Sequence, residues 1–259
     1  MRAVILAAGR GSRMGQQCHD RPKCLLELDG RPLIARQIAA LRRGGVKEIG
    51  VVRGYRAEMI DFPGITCFEN PRWAETNMVM SLAAAAAWLQ AGDTMVSYGD
   101  IFFRHELVCG LAGAAGALVV AYDRSWRSLW SCRFADPLAD AETFRIDAAG
   151  QLLEIGGKTT RIEDIQGQYM GLFKVTPGAW KAIEFLLGAL DAPTRNRLDV
   201  TGLLRRLLDR APFPIATFPT DGQWGEIDRP EDAALYLKMV KEGKLQIEEI
   251  LADGESALQ

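Results

Sequence analysis

The residues of this chain that can do chemistry are a glycine run with cations and, far downstream, three carboxylates. Gly9-Arg10-Gly11-Ser12-Arg13 follows directly on the apolar run Ala3 to Ala8, and Lys23 comes shortly after. Asp100 ends a later apolar run, and Glu226 and Asp228 stand two apart near the far end. Glycines let the backbone approach a ligand closely, and successive free N–H groups make an anion cradle. Arg13 and Lys23 add side-chain charge to the same place. Carboxylates at i and i+2 of a strand point to one face, and a pair of carboxylates together with substrate phosphates is how magnesium is usually held. A cradle, two cations and a carboxylate set suit a nucleoside triphosphate and its metal.

Three motifs compete for the loop. A Walker P-loop needs Gly-x-x-x-x-Gly-Lys-Ser/Thr, and no such run is present. A dinucleotide fingerprint needs Gly-x-Gly-x-x-Gly and an acidic residue at the end of the next strand. Gly9 and Gly11 fit, but Met14 stands where the third glycine belongs, and the strand Ile49 to Arg53 ends in a cation. The third motif fits. Leu6-Ala7-Ala8-Gly9-Arg10-Gly11-Ser12-Arg13-Met14, then Pro22-Lys23, Leu25-Leu-Glu-Leu28 and Gly30-Arg-Pro-Leu-Ile34, resembles the signature of the nucleotidyltransferases, the sugar-phosphate and choline-phosphate pyrophosphorylase superfamily.

The elements that must position these residues alternate. Ala3 to Ala8 reads as a buried strand. Ile34, Ile38 and Leu41 recur at helical spacing up to Gly44-Gly45, and Ile49 to Val52 is the next strand, so the order implies a right-handed parallel crossover. Thr66 to Phe68 is a third short strand. Asn77 is placed to cap a helix from about Val79 to Leu89. Thr94 to Ser97 is a buried strand whose exit, Tyr98-Gly-Asp100, falls on the same rim as the glycine loop, because ligands of open parallel sheets bind outside the carboxyl ends of strands. A helix near His105–Gly113 and a strand Ala117–Ala121 continue the pattern. Residues 123–142 then break it with clustered tryptophans and arginines that do not alternate like a strand, which suggests a binding loop or lid. Thr143–Ile146 and Gln151–Ile155 read as a hairpin, Tyr169–Lys174 as a strand, Pro177–Ala189 and Asp199–Arg210 as helices joined by a polar link, Asp191–Arg197, and Ile215–Phe218 as the last long strand. A closing helix starts near Glu231, and the last ~15 residues look frayed. The alternation implies an α/β fold, and the resemblance implies a Rossmann-like three-layer nucleotidyltransferase fold with a mixed, mostly parallel central sheet and a small β-rich lid insertion. One domain is expected over 1–240, with the insertion at about 123–168 and a helical tail over 241–259.

Composition narrows the partners. Hydrophobic residues make up 48% of the 259, enough for a sizeable core, and the net charge is -2. That argues against a broad basic face for nucleic acid. No apolar run approaches the ~18 residues of a membrane span, and the apolar N-terminus runs straight into a charged loop, so a cytoplasmic protein is expected; the sequence leaves monomer and dimer both open. Five scattered cysteines without a Cys-x-x-Cys pair favour free thiols. Cys24, beside Lys23, reads as a buried small residue more than a reactive one. His19 and His105 are too few and too far apart to suggest zinc.

The resemblance assigns roles. In this superfamily the glycine loop wraps the triphosphate, so Leu6, Ala7, Ala8, Gly9, Arg10, Gly11, Ser12, Arg13 and Lys23 are expected at the nucleotide, with Arg13 and Lys23 on the departing pyrophosphate. The polar loop and helix start carrying Thr76, Asn77 and Ser81 approach the base and ribose or the second substrate. Asp100 and Asp228, with Glu226 as a second choice, are expected to hold Mg2+. Tyr98, Trp126, Trp130, Arg133, Lys158, Tyr169 and Trp224 are the acceptor candidates. Glu226-Ile-Asp228 before Pro230-Glu-Asp232 resembles the choline-phosphate cytidylyltransferases of bacterial surface-polymer synthesis. Ser125-Trp, Leu129-Trp-Ser, Arg133-Phe-Ala-Asp-Pro-Leu and Gln168-Tyr-Met-Gly-Leu-Phe173 resemble a subgroup that includes the cytidylyltransferase acting on phosphoglutamine in capsular phosphoramidate synthesis. The resemblance implies CTP and a small phosphorylated acceptor, phosphoglutamine-like or phosphocholine-like. A sugar-1-phosphate nucleotidyltransferase using UTP or dTTP is the alternative.

Overall fold

Alternate residues of the first strand face opposite ways into two apolar layers: Ala3, Ile5 and Ala7 into one, Val4, Leu6 and Ala8 into the other. A strand buried on both faces belongs inside a sheet covered by helices on each side. The computed structural model describes residues 1–248, except for the side chains of Arg13, Gln16 and Gln17. It contains a seven-stranded sheet built from β1 (Arg2–Ala7), β2 (Glu48–Arg53), β3 (Ile65–Glu69), β4 (Thr94–Tyr98), β5 (Leu118–Asp123), β6 (Gln168–Val175) and β7 (Ile215–Thr220). The spatial order is β7-β5-β6-β4-β1-β2-β3. Six strands run parallel to one another. β6 is antiparallel to both of its neighbours, which makes the sheet mixed and mostly parallel, as expected.

Helices Leu33–Arg43, His105–Gly113 and Pro230–Lys241 cover one face, and Pro177–Gly188 and Val200–Arg210 cover the other. Asp199 caps the last of these through the N–H of Gly202, as an N-cap aspartate should. The excursion between β5 and β6 holds the hairpin Phe144–Ile146 with Leu152–Ile155.

Four local expectations need correction. The segment read as a loop or lid contains a helix, Trp126–Arg133. Its buried side chains, Trp126, Leu129, Trp130 and Arg133, recur at i, i+3, i+4 and i+7, a helical stripe that a test for strand alternation misses. The polar link contains a short helix, Ala192–Arg197, capped by Asp191. The helix expected over 79–89 is two pieces, Met78–Ala83 and Ala86–Ala91. The closing helix ends at Lys241, and residues 242–248 are neither helical nor frayed: Leu245 is buried, and Glu248 is held by Arg43 and His105. Residues 249–259 of the expected tail lie outside the described residues.

A small antiparallel ribbon positions the functional rim. Ile101–Phe103, directly after Asp100, pairs with Trp224–Glu226, in the register Ile101 to Glu226. One step further the N–H of Ile227 donates to the Asp100 carbonyl at 3.0 Å. This pairing brings Asp100 and Asp228 together from opposite ends of the fold.

Candidate active site

Lys23 is where the rim converges. Its Nζ donates to Asp100 Oδ2 at 2.7 Å and to Asp228 Oδ1 at 2.6 Å. All three side chains are largely enclosed, the lysine only 11% exposed. Burial pushes the Lys23 ammonium down, but the two carboxylates outweigh it and hold it above its ordinary value. Lys23 sits on a short 3-10 turn after the glycine loop, and its stem packs under Gly11. Gly11 has φ +69°, and a Cβ there would lie 2.9 Å from Lys23 Cβ, so both conformation and space call for glycine.

Two cavities meet at this cluster. The first, about 240 Å³, is lined by Leu6, Ala7, Gly9, Gly11, Ser12, Lys23, Cys24, Met78, Gly99 and Asp100. It is the glycine-loop cavity, and it holds most of the residues expected at the nucleotide. Gly99 closes its floor: its N–H donates to the Leu6 carbonyl at 2.9 Å, an approach that a Cβ would block. Ala8 and Arg10 stand outside the lining. Ala8 offers its carbonyl to Tyr55, and Arg10 lies over the Tyr55 ring. The Arg13 side chain lies outside the described residues. Cys24 is buried, and desolvation pushes its thiol up to about 12, so it is inert at neutral pH.

Thr76, Asn77 and Ser81 do not line either cavity. Asn70 Nδ2 donates to Thr76 Oγ1 and Ser81 Oγ, both at 3.0 Å, and Asn77 caps Met78 N–H while its own N–H bonds the Asn196 carbonyl. Their polar atoms hold the loop to its neighbours, and Met78 is the residue of that stretch that reaches both cavities.

The second cavity, about 230 Å³, lies on the other side of Asp100. Its walls include Tyr98, Trp130, Phe144 and Tyr169 together with five carboxylates, Asp100, Asp140, Glu142, Glu226 and Asp228. Among the described residues, no arginine or lysine lines it. Tyr98 and Tyr169 meet edge to face, with ring centroids 5.8 Å apart. Burial pushes both phenols up, so both stay neutral. Trp130 Nε1 donates to Asp140 Oδ2 at 3.1 Å. Glu142 is half-buried, and its carboxyl is raised by desolvation and further by Asp199 and Asp140, against a lowering by Lys158.

Of the acceptor candidates, Tyr98, Trp130 and Tyr169 line this cavity; Trp126, Arg133, Lys158 and Trp224 do not. Trp126 and Trp224 are core residues whose indole N–H groups go to the Ile165 carbonyl and to Asp123. Lys158 is exposed and donates to the Asp140 carbonyl. Arg133 is buried behind the wall, bonded to Glu226 at 2.8 Å and to Asp232 at 3.1 and 3.2 Å. Sequence reasoning read Asp140-Ala-Glu-Thr143 only as part of the subgroup resemblance and gave Asp140 and Glu142 no role at the site, although they repeat the i, i+2 carboxylate spacing seen at Glu226 and Asp228.

The structure brings the three carboxylates expected at the metal, Asp100, Glu226 and Asp228, into the wall of one cavity. Among the described residues, the three ligand groups that gather within 4.8 Å are His105, Glu106 and Glu248, and not Asp100, Glu226 and Asp228. Glu226 shares the cavity with Asp228, as i, i+2 spacing suggests, but its carboxylate is bonded to Arg133. Asp100 and Asp228 remain, two oxygens converging on one small cation, the Lys23 ammonium. Two carboxylate oxygens around one compact cation are a donor set of the kind that hard divalent ions take.

Comparison with known proteins places the chain in a family. Residues 3–153 match the MobA-like NTP transferase domain. The chain is 32% identical over 254 residues to the CTP:phosphoglutamine cytidylyltransferase of Campylobacter jejuni subsp. jejuni serotype O:2, covering 92% of this chain and 100% of that protein. It is 35% identical over 109 residues to the 2-aminoethylphosphonate cytidylyltransferase of Lancefieldella rimae, covering 40% of this chain and 44% of that one. In fold it is similar to the inositol-1-phosphate CTP transferase of T. maritima (TM-score 0.72, 20% identity, 93% of this chain and 96% of that one). It is also similar to the CTP:phosphocholine cytidylyltransferase of Streptococcus pneumoniae (TM-score 0.67, 18% identity, 92% and 98%). The glycine-loop cavity, the carboxylate pair at its edge and the matched domain together make this chain a nucleotidyltransferase of the MobA-like NTP transferase family.

Proposed function

We propose that the protein transfers the CMP unit of CTP to a small phosphorylated or phosphonate acceptor that carries an ammonium group, releasing pyrophosphate. The observation that carries this reading is the second cavity. It adjoins the glycine-loop cavity at Asp100, is walled by aromatic rings and by Asp140 and Glu142, and has no lining cation among the described residues. Such walls favour a positively charged group, held by carboxylates and ring faces, over a sugar. Phosphoglutamine and phosphocholine both carry one. The similarity to the Campylobacter phosphoglutamine enzyme supports both CTP and this acceptor class. The surface-polymer destination implied by the sequence resemblance, and a cytoplasmic place of action, belong to the same reading.

In this reaction an acceptor oxygen attacks the α-phosphorus of CTP, the new P–O bond forms, and the α–β bridging bond breaks with its electrons leaving on pyrophosphate. A phosphate monoester has its second pKa near ~6, so such an acceptor is already largely dianionic at neutral pH and needs no general base. The protein contributes position and charge. Mg2+ held by Asp100 and Asp228 would neutralise the reacting phosphates. The glycine loop cradles the triphosphate, and Arg13 and Lys23 stabilise the departing pyrophosphate. Asp140 and Glu142 orient the acceptor through its ammonium.

The test is pyrophosphate release with Mg2+ and CTP against phosphoglutamine, phosphocholine, 2-aminoethylphosphonate and glucose-1-phosphate. Release with CTP and an ammonium-bearing acceptor is the expected result. Turnover confined to the sugar phosphate, or to UTP or dTTP, would instead make this a sugar-1-phosphate nucleotidyltransferase.

A further inference from the structure

We infer that Lys23 is an exchangeable occupant of the metal position: its ammonium holds Asp100 and Asp228 together in the ligand-free enzyme, and it must leave that position when the metal enters. This deepens the function proposed above, since it concerns the same carboxylate pair. The geometry is direct. One Nζ bonds a single oxygen of each carboxylate, at 2.7 and 2.6 Å. A divalent ion bound by the same two oxygens would face the ammonium at contact distance, and two cations in a largely enclosed site repel strongly.

The lysine has somewhere to go. Its side chain lines the glycine-loop cavity together with Gly9, Gly11 and Ser12, where the triphosphate is proposed to sit. Its stem is fixed under Gly11, with a Cβ built on that glycine falling 3.2 Å from Lys23 Cγ and Cδ, so the outer end has to provide the movement. Displaced from the carboxylates, the ammonium finds phosphate oxygens in the same cavity. Metal and nucleotide therefore assist each other: the metal frees the lysine, and the phosphates receive it. Without nucleotide, the lysine competes with the metal, and apparent metal affinity falls by the fraction of molecules in which the carboxylates are available. Coupling of this kind is reciprocal.

The experiment is Mn2+ binding to the full chain, followed by the electron paramagnetic resonance of free Mn2+, with and without a non-hydrolysable CTP analogue. Without nucleotide, Lys23→Gln and Lys23→Met are expected to bind Mn2+ about 10-fold tighter than wild type, within the usual range of coupling between sites. Adding the analogue should improve Mn2+ affinity more in wild type than in either variant. Asp100→Asn should abolish the tightened binding when combined with Lys23→Gln. Unchanged or weaker Mn2+ affinity in both lysine variants overturns the inference, as does tight binding that survives Asp100→Asn. A wild-type measurement covers the case in which the variants do not fold. Acetylation of Lys23, followed by mass spectrometry, should accelerate at saturating Mn2+, and an unchanged rate overturns the exchange. The proposed function fails separately, through absence of pyrophosphate release from wild type across the acceptor panel.

Discussion

Asp232 accepts the backbone N–H of Asp228 at 2.9 Å with the same carboxylate that Arg133 grips through Nε and Nη2. The loop that carries one of the paired carboxylates is thus tied to the helix Trp126–Arg133, which also supplies Trp130 to the second cavity. Arg133 packs against the rings of Trp130 and Phe134, at 5.1 and 5.2 Å. It is a positioning residue: it touches neither cavity, yet it sets Glu226 and, through Asp232, Asp228.

Arg133→Met should therefore destabilise the protein by about 3 kcal/mol, since it takes the closer of two cations from the buried Asp232 and leaves only Arg229, at 3.4 Å. Burial pushes the Asp232 carboxyl up, but Arg133 and the N–H groups of Asp228 and Arg229 outweigh it and hold the group below its ordinary value. A depressed carboxyl contributes stability that is present above its unfolded pKa of roughly 3.9 and lost as pH falls through the folded value. Urea unfolding of wild type and variant between neutral and acid pH checks both points. The gap between them should narrow toward acid, and parallel curves would remove the strut.

Asp100→Asn and Asp228→Asn should each lower kcat by roughly 100-fold or more while the fold is retained, because each removes an anionic ligand from the proposed Mg2+ position and with it the neutralisation of the reacting phosphates. Steady-state kinetics with circular dichroism separates lost chemistry from lost structure. Near-normal turnover in both variants would move the reaction elsewhere.

Glu142→Gln should raise the acceptor KM with little change in that for CTP. Desolvation, with Asp199 and Asp140 nearby, raises this carboxyl despite Lys158. A raised carboxyl favours the folded state at low pH, and that advantage is lost as pH rises through its folded value. The variant should therefore be at least as stable as wild type at pH 7. Thermal unfolding together with acceptor kinetics tests this, and a destabilised variant with an unchanged acceptor KM would make Glu142 a structural carboxylate.

Trp130→Phe keeps a ring in the wall but removes the N–H that holds Asp140 at 3.1 Å. A loss of about 1 kcal/mol in stability is expected from that bond, with a rise in acceptor KM larger than any in the CTP KM. The reverse pattern would separate Trp130 from the acceptor.

The glycine loop and the strand exits were legible from the sequence alone because each rests on local spacing, and the three-layer fold through the resemblance to the nucleotidyltransferases. An apolar run followed by Gly9 and Gly11 is a strand opening into a backbone cradle, whatever the rest of the chain does. Asp100 at the end of β4 falls on the same rim because carboxyl ends of parallel strands share one edge. Local spacing also held the helix Trp126–Arg133 and the Asp140-Ala-Glu142 pair, which testing for strand alternation alone passed over. What only the tertiary structure decided is which charges meet. The ribbon register from Ile101 to Glu226 joins segments with no local relation, and it is this register that sets Asp100 and Asp228 on the two sides of Lys23. It is tertiary packing, too, that turned Arg133 and Trp224 inward, Arg133 because Glu226 and Asp232 compensate its charge and Trp224 because Asp123 takes its indole N–H. Residue type and periodicity say which groups stand on an edge; long-range pairing says which of them become partners.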